Sequence, residues 1–292
     1  MSGVDIRPDR GSATIPSSVA ETLRSRLVQA RTPGAPLLIA LDVDGTLAPI
    51  VQRPEDAAVP PETRRVLASL ATRRDVVLAI VSGRAAAAAA AVVGMSGLWV
   101  IGNHGAETVA PDGTVTIDPL VAPYRPAIAS AAAALDAPTS AVAGARLEDK
   151  RWTLTVHYRR VADAAGVAAL EAAVTAAGRH FGLTLHRGKQ VFELRPPVRV
   201  NKGTALLRLA RALGADAPGA ALLYAGDDVT DEDAFRALRA DLPAAVTIRV
   251  AGDEPGADGS GEPAETAAEI VVDGLPALRV ALERLDDWLA SA

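Results

Sequence analysis

The chain has 292 residues, 49% hydrophobic and 22% charged, which is enough apolar material for a full core and excludes a disordered chain. A net charge of −5 argues against nucleic acid or an anionic membrane as partner, while a small anion held by a metal and a few local cations stays open. There is no cysteine, which excludes disulfides, thiolate nucleophiles and Cys-bound zinc, and the histidines (His104, His157, His180, His186) form no metal-binding pair.

The first residues, "MSGVDIRPDRGSATIPSS", lack the apolar segment of a secretory signal, and no apolar run approaches a membrane span. The expectation is a cytoplasmic monomer with a small-molecule substrate and no nucleic-acid or membrane partner. Ser17 or Ser18 is placed to cap a helix through "VAETLRSRLVQAR", where Val19, Leu23 and Leu27 share a face. "LLIALDVDG" is a continuous apolar run ending in Asp and Gly, the pattern of a central parallel strand. "PPETRRVLASLATRR" then reads as a helix, "DVVLAIVSG" as a second buried strand, "RAAAAAAAVVG" as a helix stopped by Gly94, and "GLWVIGNHG" as a third strand. Strands apolar on both faces, alternating with helices, predict a doubly wound, Rossmann-like α/β core with a parallel sheet.

The pattern then changes. "AETVAPDGTVTID" predicts a hairpin about Asp112-Gly113, and "LVAPYRPAIASAAAALDA" a helix. "ARLEDK" and "RWTLTVHYRR" alternate polar and apolar residues, as half-exposed antiparallel strands do. A helix around "DAAGVAALEAAVTAAGRHF" and strands at "LTLHRG" and "QVFELRP" complete an α/β insert, assigned to residues 120–196 as a smaller cap domain over a core of 1–119 and 197–292. Core elements resume with "NKGTALLRLARALG" (helix), "AALLYAGDD" (strand), "DEDAFRALRA" (helix) and "AAVTIRVA" (strand). The acidic stretch at 252–265 reads as a mobile surface loop, and "IVVDG" and "LPALRVALERLDDWLA" as a last strand and closing helix.

In an open α/β sheet, ligands bind outside the carboxyl ends of the strands. Polar residues fall there in Asp42-Val43-Asp44-Gly45-Thr46, Ser82-Gly83-Arg84, Asn201-Lys202-Gly203 and Gly226-Asp227-Asp228. Of the acids in "GDDVTDEDAF", Glu232 and Asp233 fit a helix start capped by Thr230, whereas Asp227 and Asp228 end the preceding strand. If those two converge with Asp42 and Asp44, their repulsion demands a cation, and an all-oxygen set points to a hard ion, Mg²⁺. A carboxylate beside such an ion is a nucleophile towards phosphorus. Asp42 is placed for that role, and Asp44 for giving a proton to the leaving oxygen and later taking one from water. Lys202 and Ser82, each at a helix start, are placed to face a phosphate; singly, each also fits an ordinary cap or a solvated side chain.

"DVDGT", "SGR", the Lys of "NKG" and "GDDVTDEDAF", in that order from Asp42 to Phe235, resemble the four motifs of the haloacid-dehalogenase-type phosphatases. "LDVDGTLAPIV", "GNHGAE", "LEDKRWTLTVHYR" and "GKQVFELRP" narrow the resemblance to the trehalose-6-phosphate phosphatases. It implies a Mg²⁺-dependent phosphatase acting through an aspartyl-phosphate, with Asp42 as nucleophile and Asp44 as acid/base. It also implies Asp42, Asp44 (through its carbonyl), Asp227 and Asp228 at the metal, and Ser82, Gly83 and Lys202 on the phosphoryl group. Asn103, His104, Glu148, Lys150, Arg159, Lys189 and Glu193 are implied as substrate contacts, although Arg159 equally fits a solvent-side strand residue and His157 a structural histidine. The alternatives are a related phosphatase for sucrose phosphate or glucosyl-3-phosphoglycerate, and a sugar-phosphate-sensing module that has kept the fold.

Overall fold

Leu37–Leu41 (β1) is buried at every position, and its two faces feed two different cores. The computed structural model describes residues 17–51, 53–188, 190–252 and 265–291. Leu37, Ile39 and Leu41 pack with Leu23 and Leu27 of Ser17–Ala30 (α1), Leu67 and Leu70 of Pro61–Ala71 (α2), Val93 of Ala86–Val93 (α3) and Leu282 of Gly274–Ser291 (α8). Leu38 and Ala40 pack on the other side, with Leu206 and Leu209 of Lys202–Ala212 (α6) and Phe235 and Leu238 of Val229–Asp241 (α7). A strand covered on both faces has no polar alternation, which is why the run is uniformly apolar.

The remaining strands of this sheet are Val76–Val81 (β2), Trp99–Gly102 (β3), Glu107–Val109 (β4), Val115–Ile117 (β5), Ala221–Gly226 (β10), Val246–Ala251 (β11) and Ile270–Asp273 (β12). Their order is β12-β11-β10-β1-β2-β3-β4-β5, parallel from β12 to β3, with the hairpin β4–β5 antiparallel at one edge. The chain runs outward from β1 through β2 to β3, then returns to β10 on the other side of β1. The crevice between β1 and β10 is therefore the point where the winding reverses, and their carboxyl ends open side by side. Ser17 and Ser18 both stand within α1 rather than ahead of it.

The second sheet holds Arg146–Asp149 (β6), Leu154–His157 (β7), Thr184–Gly188 (β8) and Val191–Arg195 (β9), antiparallel in the order β6-β7-β9-β8. One face is apolar: Leu154, Val156, Phe192 and Leu194 pack on Ile128 and Leu135 of Arg125–Ser140 (α4) and on Leu170 and Val174 of Ala164–Phe181 (α5). Asp163 caps α5 by accepting from Ala165 N and Gly166 N, and Gly182 ends it in the left-handed region. The other face carries a polar row in register across the four strands, Glu148–Thr155–Glu193–His186. Among the described residues no helix is long and apolar enough to cross a membrane.

Phe192 is 4% exposed and its ring stacks on Tyr158 at 4.6 Å between centroids. Phe192→Ala is expected to destabilise the second sheet by about 3–5 kcal/mol. Urea unfolding followed by tryptophan fluorescence checks this, and a loss under about 1 kcal/mol would contradict the packing described.

Candidate active site

Asp42 follows β1 and continues the parity of Leu38 and Ala40, so it points to the layer of α6 and α7. There Lys202, the first residue of α6, donates from Nζ to Asp42 Oδ1 and to Asp231 Oδ1, each at 2.8 Å. All three side chains are almost wholly buried, at 5% exposure or less. The Tyr224 hydroxyl, from β10, also donates to Asp231 Oδ1. The other oxygen, Oδ2, accepts Asp227 N at 3.0 Å and Asp228 N at 3.1 Å, so one buried carboxylate shapes the whole turn from β10 into α7.

Two glycines let this turn close on the first. A Cβ at Gly226 would lie 2.2 Å from Asp231 Cγ. At Gly45, which has φ +84°, it would lie 2.0 Å from Asp227 Oδ2, so neither position admits a side chain. Thr46 Oγ1 donates to Asp227 Oδ1 at 3.2 Å.

The electrostatics are one-sided. Burial raises the Asp42 carboxyl well above the usual range; Lys202 opposes the rise, and Asp231 and Asp227 add to it. Asp227 is pushed up to about 7 by burial and by Asp231 and Asp228. Burial would depress the Lys202 ammonium, but Asp231 and Asp42 outweigh it and hold the group protonated. One ammonium therefore faces an excess of negative charge. Asp42, Asp227 and Asp231 each offer an oxygen within 4.8 Å of the others, a donor set that suits a hard divalent cation.

Asp44 stands apart from that group. Arg84 grips it with both prongs, Nε to Oδ2 and Nη2 to Oδ1, each at 2.7 Å, and donates from Nη1 to Pro54 O at 2.9 Å. Ser82 is buried beside it and accepts Arg84 N on Oγ at 3.1 Å. Asp228 is the cap of α7, taking Thr230 N at 2.8 Å and Asp231 N at 3.1 Å. The expectation that Thr230 caps is thereby corrected: its hydroxyl donates to Asp228 at 2.7 Å, because Asp228 has the extended backbone that a cap requires and Thr230 already lies inside the helix. Burial opposes ionisation of Asp228, but Lys202, Thr230 and Asp231 outweigh it and pull its pKa down. Glu232 lies in the first turn of α7, as expected. It is buried and accepts from Arg249 at 2.7 Å, Thr266 Oγ1 at 2.6 Å and Ala267 N at 2.8 Å.

The polar face of the second sheet meets this edge. Asn103 and His104, after β3, hold left-handed backbone with φ 50° and 54°, an uncommon conformation for residues other than glycine. Asn103 Nδ2 donates to Lys150 O at 3.1 Å and to Glu107 Oε1 at 2.9 Å. Lys150 reaches back from Nζ to Gly83 O at 3.2 Å and stands 3.8 Å from Glu193 Oε1. Arg195 donates from Nε to Glu193 Oε2 at 2.9 Å and from Nη2 to His104 Nε2 at 2.8 Å. Glu148 pairs with His157 at 2.6 Å. Arg159, past the end of β7, donates to Gln190 Oε1 at 2.9 Å and to Val51 O, in the stretch between β1 and α2, at 3.3 Å. Lys189 lies outside the described residues, as does the stretch 253–264.

Burial lowers the His104 imidazole to about 4, with Arg195 and Lys202 assisting against Glu193. The ring is thus neutral at pH 7, and since Nε2 accepts from Arg195 its proton sits on Nδ1, which has no partner. Burial would raise Glu193, but His104, Lys150 and Arg195 outweigh it and hold the carboxyl well below its usual range. With His104 uncharged, Lys150 and Arg195 carry that effect at neutral pH. Glu193 Oε1, like His104 Nδ1, is buried without a hydrogen-bond partner.

Sequence reasoning missed Asp231, Tyr224 and Arg195. Arg195 carried a readable signal, since it shares strand parity with Glu193. Asp231 was hidden among the acids at the start of α7.

A family model described as trehalose-phosphatase matches residues 40–267. The trehalose-phosphate phosphatase of Mycolicibacterium paratuberculosis is 38% identical over 253 residues, 86% of this chain and 62% of that protein. An uncharacterized glycosyl hydrolase of Mycobacterium tuberculosis is 40% identical over 235 residues, 79% of this chain but 17% of that protein. The chain thus spans less than two thirds of either relative's length. A crystal structure described as a trehalose-6-phosphate phosphatase related protein aligns with a TM-score of 0.72 at 25% identity, covering 87% of this chain and 99% of that one. The C-terminal domain of C. albicans trehalose-6-phosphate phosphatase shares the fold with a TM-score of 0.69 at 23% identity, covering 94% and 98%.

Asp227 binds its proton more tightly folded than unfolded, with a pKa of about 7 against an ordinary 3.8. The stability this contributes to the metal-free protein is full below the ordinary value and is lost as pH rises through about 7. A divalent cation bound at the cluster would offset the resulting repulsion. Magnesium chloride added to metal-stripped protein should therefore raise Tm more at pH 8 than at pH 5, measured by differential scanning fluorimetry; equal gains at both would contradict the acid cluster as the binding site.

Proposed function

This chain belongs to the trehalose-phosphatase family, and from that premise we propose that it hydrolyses trehalose 6-phosphate to trehalose and phosphate. The observation that carries the reading is the meeting of two sets of groups. Asp42, held by Lys202, lies at the carboxyl end of β1, and the second sheet meets the neighbouring strand ends through Lys150 on Gly83 O, Asn103 on Lys150 O and Arg195 on His104, with Glu193 and His104 each presenting an unpartnered polar atom.

In this reading Asp42, Asp227 and the carbonyl of Asp44, with Asp228 and Asp231 nearby, would hold Mg²⁺, which when bound would supply positive charge against the phosphoryl oxygens and the carboxylates. An Asp42 carboxylate oxygen attacks phosphorus, and the bond from phosphorus to the sugar oxygen breaks. Asp44 gives its proton to that oxygen as it leaves, so trehalose departs neutral. Water then attacks the phosphorus of the aspartyl-phosphate and Asp44 takes its proton, which releases phosphate and restores both carboxyls. Lys202, Ser82 and the backbone at Gly83 hold the phosphoryl oxygens.

Residues 120–196 act as the cap that selects the sugar. Glu148, Lys150, Arg159 and Glu193, with Asn103 and His104, offer the charged and polar partners that a disaccharide's hydroxyls require, and Lys189 joins them on the sequence resemblance alone. A site with buried polar groups rejects a sugar that leaves them unpaired, which is a stronger filter than shape alone.

Phosphate release with Mg²⁺ from trehalose 6-phosphate, sucrose 6-phosphate, glucose 6-phosphate and glucosyl-3-phosphoglycerate tests the reading. We expect trehalose 6-phosphate to be preferred by at least about 100-fold in kcat/KM, and Asp42→Asn to fall to background on all four. Preference for another sugar would overturn the cap assignment, and unchanged activity in Asp42→Asn would overturn the nucleophile.

A further inference from the structure

Arg84 has no part in the reaction as described so far, yet its geometry is specific. It lies two residues past Ser82, at the carboxyl end of β2, and all three nitrogens of its guanidinium are engaged, on two partners. Two parallel bonds of 2.7 Å join it to the two oxygens of Asp44, and a third of 2.9 Å fixes it to Pro54 O. Its own backbone N–H is tied to Ser82 Oγ at 3.1 Å. The pair is partly covered, with the Arg84 side chain 18% and the Asp44 side chain 38% exposed, so it is neither a solvated surface pair nor part of the core.

The consequence for Asp44 is directional. It stands two residues from Asp42, close enough in sequence to swing towards the same cation, yet the carboxylates that converge are Asp42, Asp227 and Asp231. Asp44 is turned away from them and towards Arg84. A guanidinium fork fixes the plane of a carboxylate as well as its position, which a single ammonium cannot do.

We propose that Arg84 is the positioning residue for Asp44, holding its carboxyl on the leaving-group side of the phosphorus and away from the cation cluster. The inference rests on the phosphatase reading above and extends it by one residue. When Asp44 is protonated, one oxygen carries the proton and the other keeps its bond to the guanidinium. The proton passes to the leaving oxygen as its bond to phosphorus breaks, and the electron pair of that bond stays on the oxygen. When Asp44 returns to the carboxylate, both prongs close again.

A leaving group that needs no proton should be indifferent to Arg84. The test compares the preferred sugar phosphate of the panel above with its analogue in which sulfur bridges sugar and phosphorus, since the sulfur departs as a stable thiolate and every sugar contact is kept. Values of kcat/KM are measured, which report the steps up to departure of the sugar. In Arg84→Ala we expect the oxygen substrate to lose about 100-fold or more and the sulfur substrate less than about 10-fold. Arg84→Lys should recover only part of the difference, because it restores charge without the fork.

The ratio of the two substrates does not depend on the fraction of protein that folds, so a destabilised variant cannot mimic the result. Equal losses on both substrates, or full recovery by Arg84→Lys, would overturn the positioning role while leaving the phosphatase reading intact. Wild-type protein inactive on every sugar phosphate would overturn both.

Discussion

The Lys202 ammonium, almost wholly buried and shared between Asp42 and Asp231, is the contact on which the rest of the site depends. Removing charged groups from solvent costs several kcal/mol per ion, and only close pairing with further hydrogen bonds offsets it. Asp231 shows how fully that requirement is met. Its two oxygens accept from Lys202, from Tyr224 and from two backbone amides, so a group with no exposure has four donors around it. The outcome is that Asp42 is fixed to α6 through Lys202, and the turn after β10 is tied to α7 through Asp231.

That contact in turn depends on topology. Asp42, Lys202 and Asp231 come from three well-separated parts of the sequence, and they meet because the winding reverses between β1 and β10. Strand parity then sends Asp42 to the side of α6 and α7. The second sheet is built on the opposite logic, with one apolar face spent on α4 and α5 and one polar face left for the crevice. Its buried charges are balanced locally by Lys150 and Arg195, which lets Glu193 stay ionised under cover.

The parallel core was legible because burial on both faces writes itself as uninterrupted apolar runs, and "LLIAL" and "ALLYAG" are such runs. The second sheet was legible because "RWTLTVHYRR" and "QVFELRP" alternate. What escaped was pairing between distant positions. The five carboxylates after β10 look alike in sequence, yet Asp228 caps, Asp231 is buried against Lys202, Glu232 binds Arg249 and Asp233 faces solvent; only the packing of α7 against α6 and β11 separates them. Arg84 stood in a recognised motif, but its partner lies 40 residues earlier, and nothing in the spacing announces the bond. His104 was an expected substrate contact, though its neutrality follows from burial beside Arg195, which no sequence pattern records.

The central claim is that Asp42 carries the phosphoryl group during turnover. It is tested most directly by mixing the protein with trehalose 6-phosphate and Mg²⁺, quenching in acid within milliseconds, and mapping phosphoryl mass by peptide sequencing in the mass spectrometer. The account predicts a phosphoryl increment on the peptide bearing Asp42, located at that residue, present during turnover and gone once substrate is exhausted. Sustained turnover with the increment on another residue and Asp42 unlabelled would contradict it.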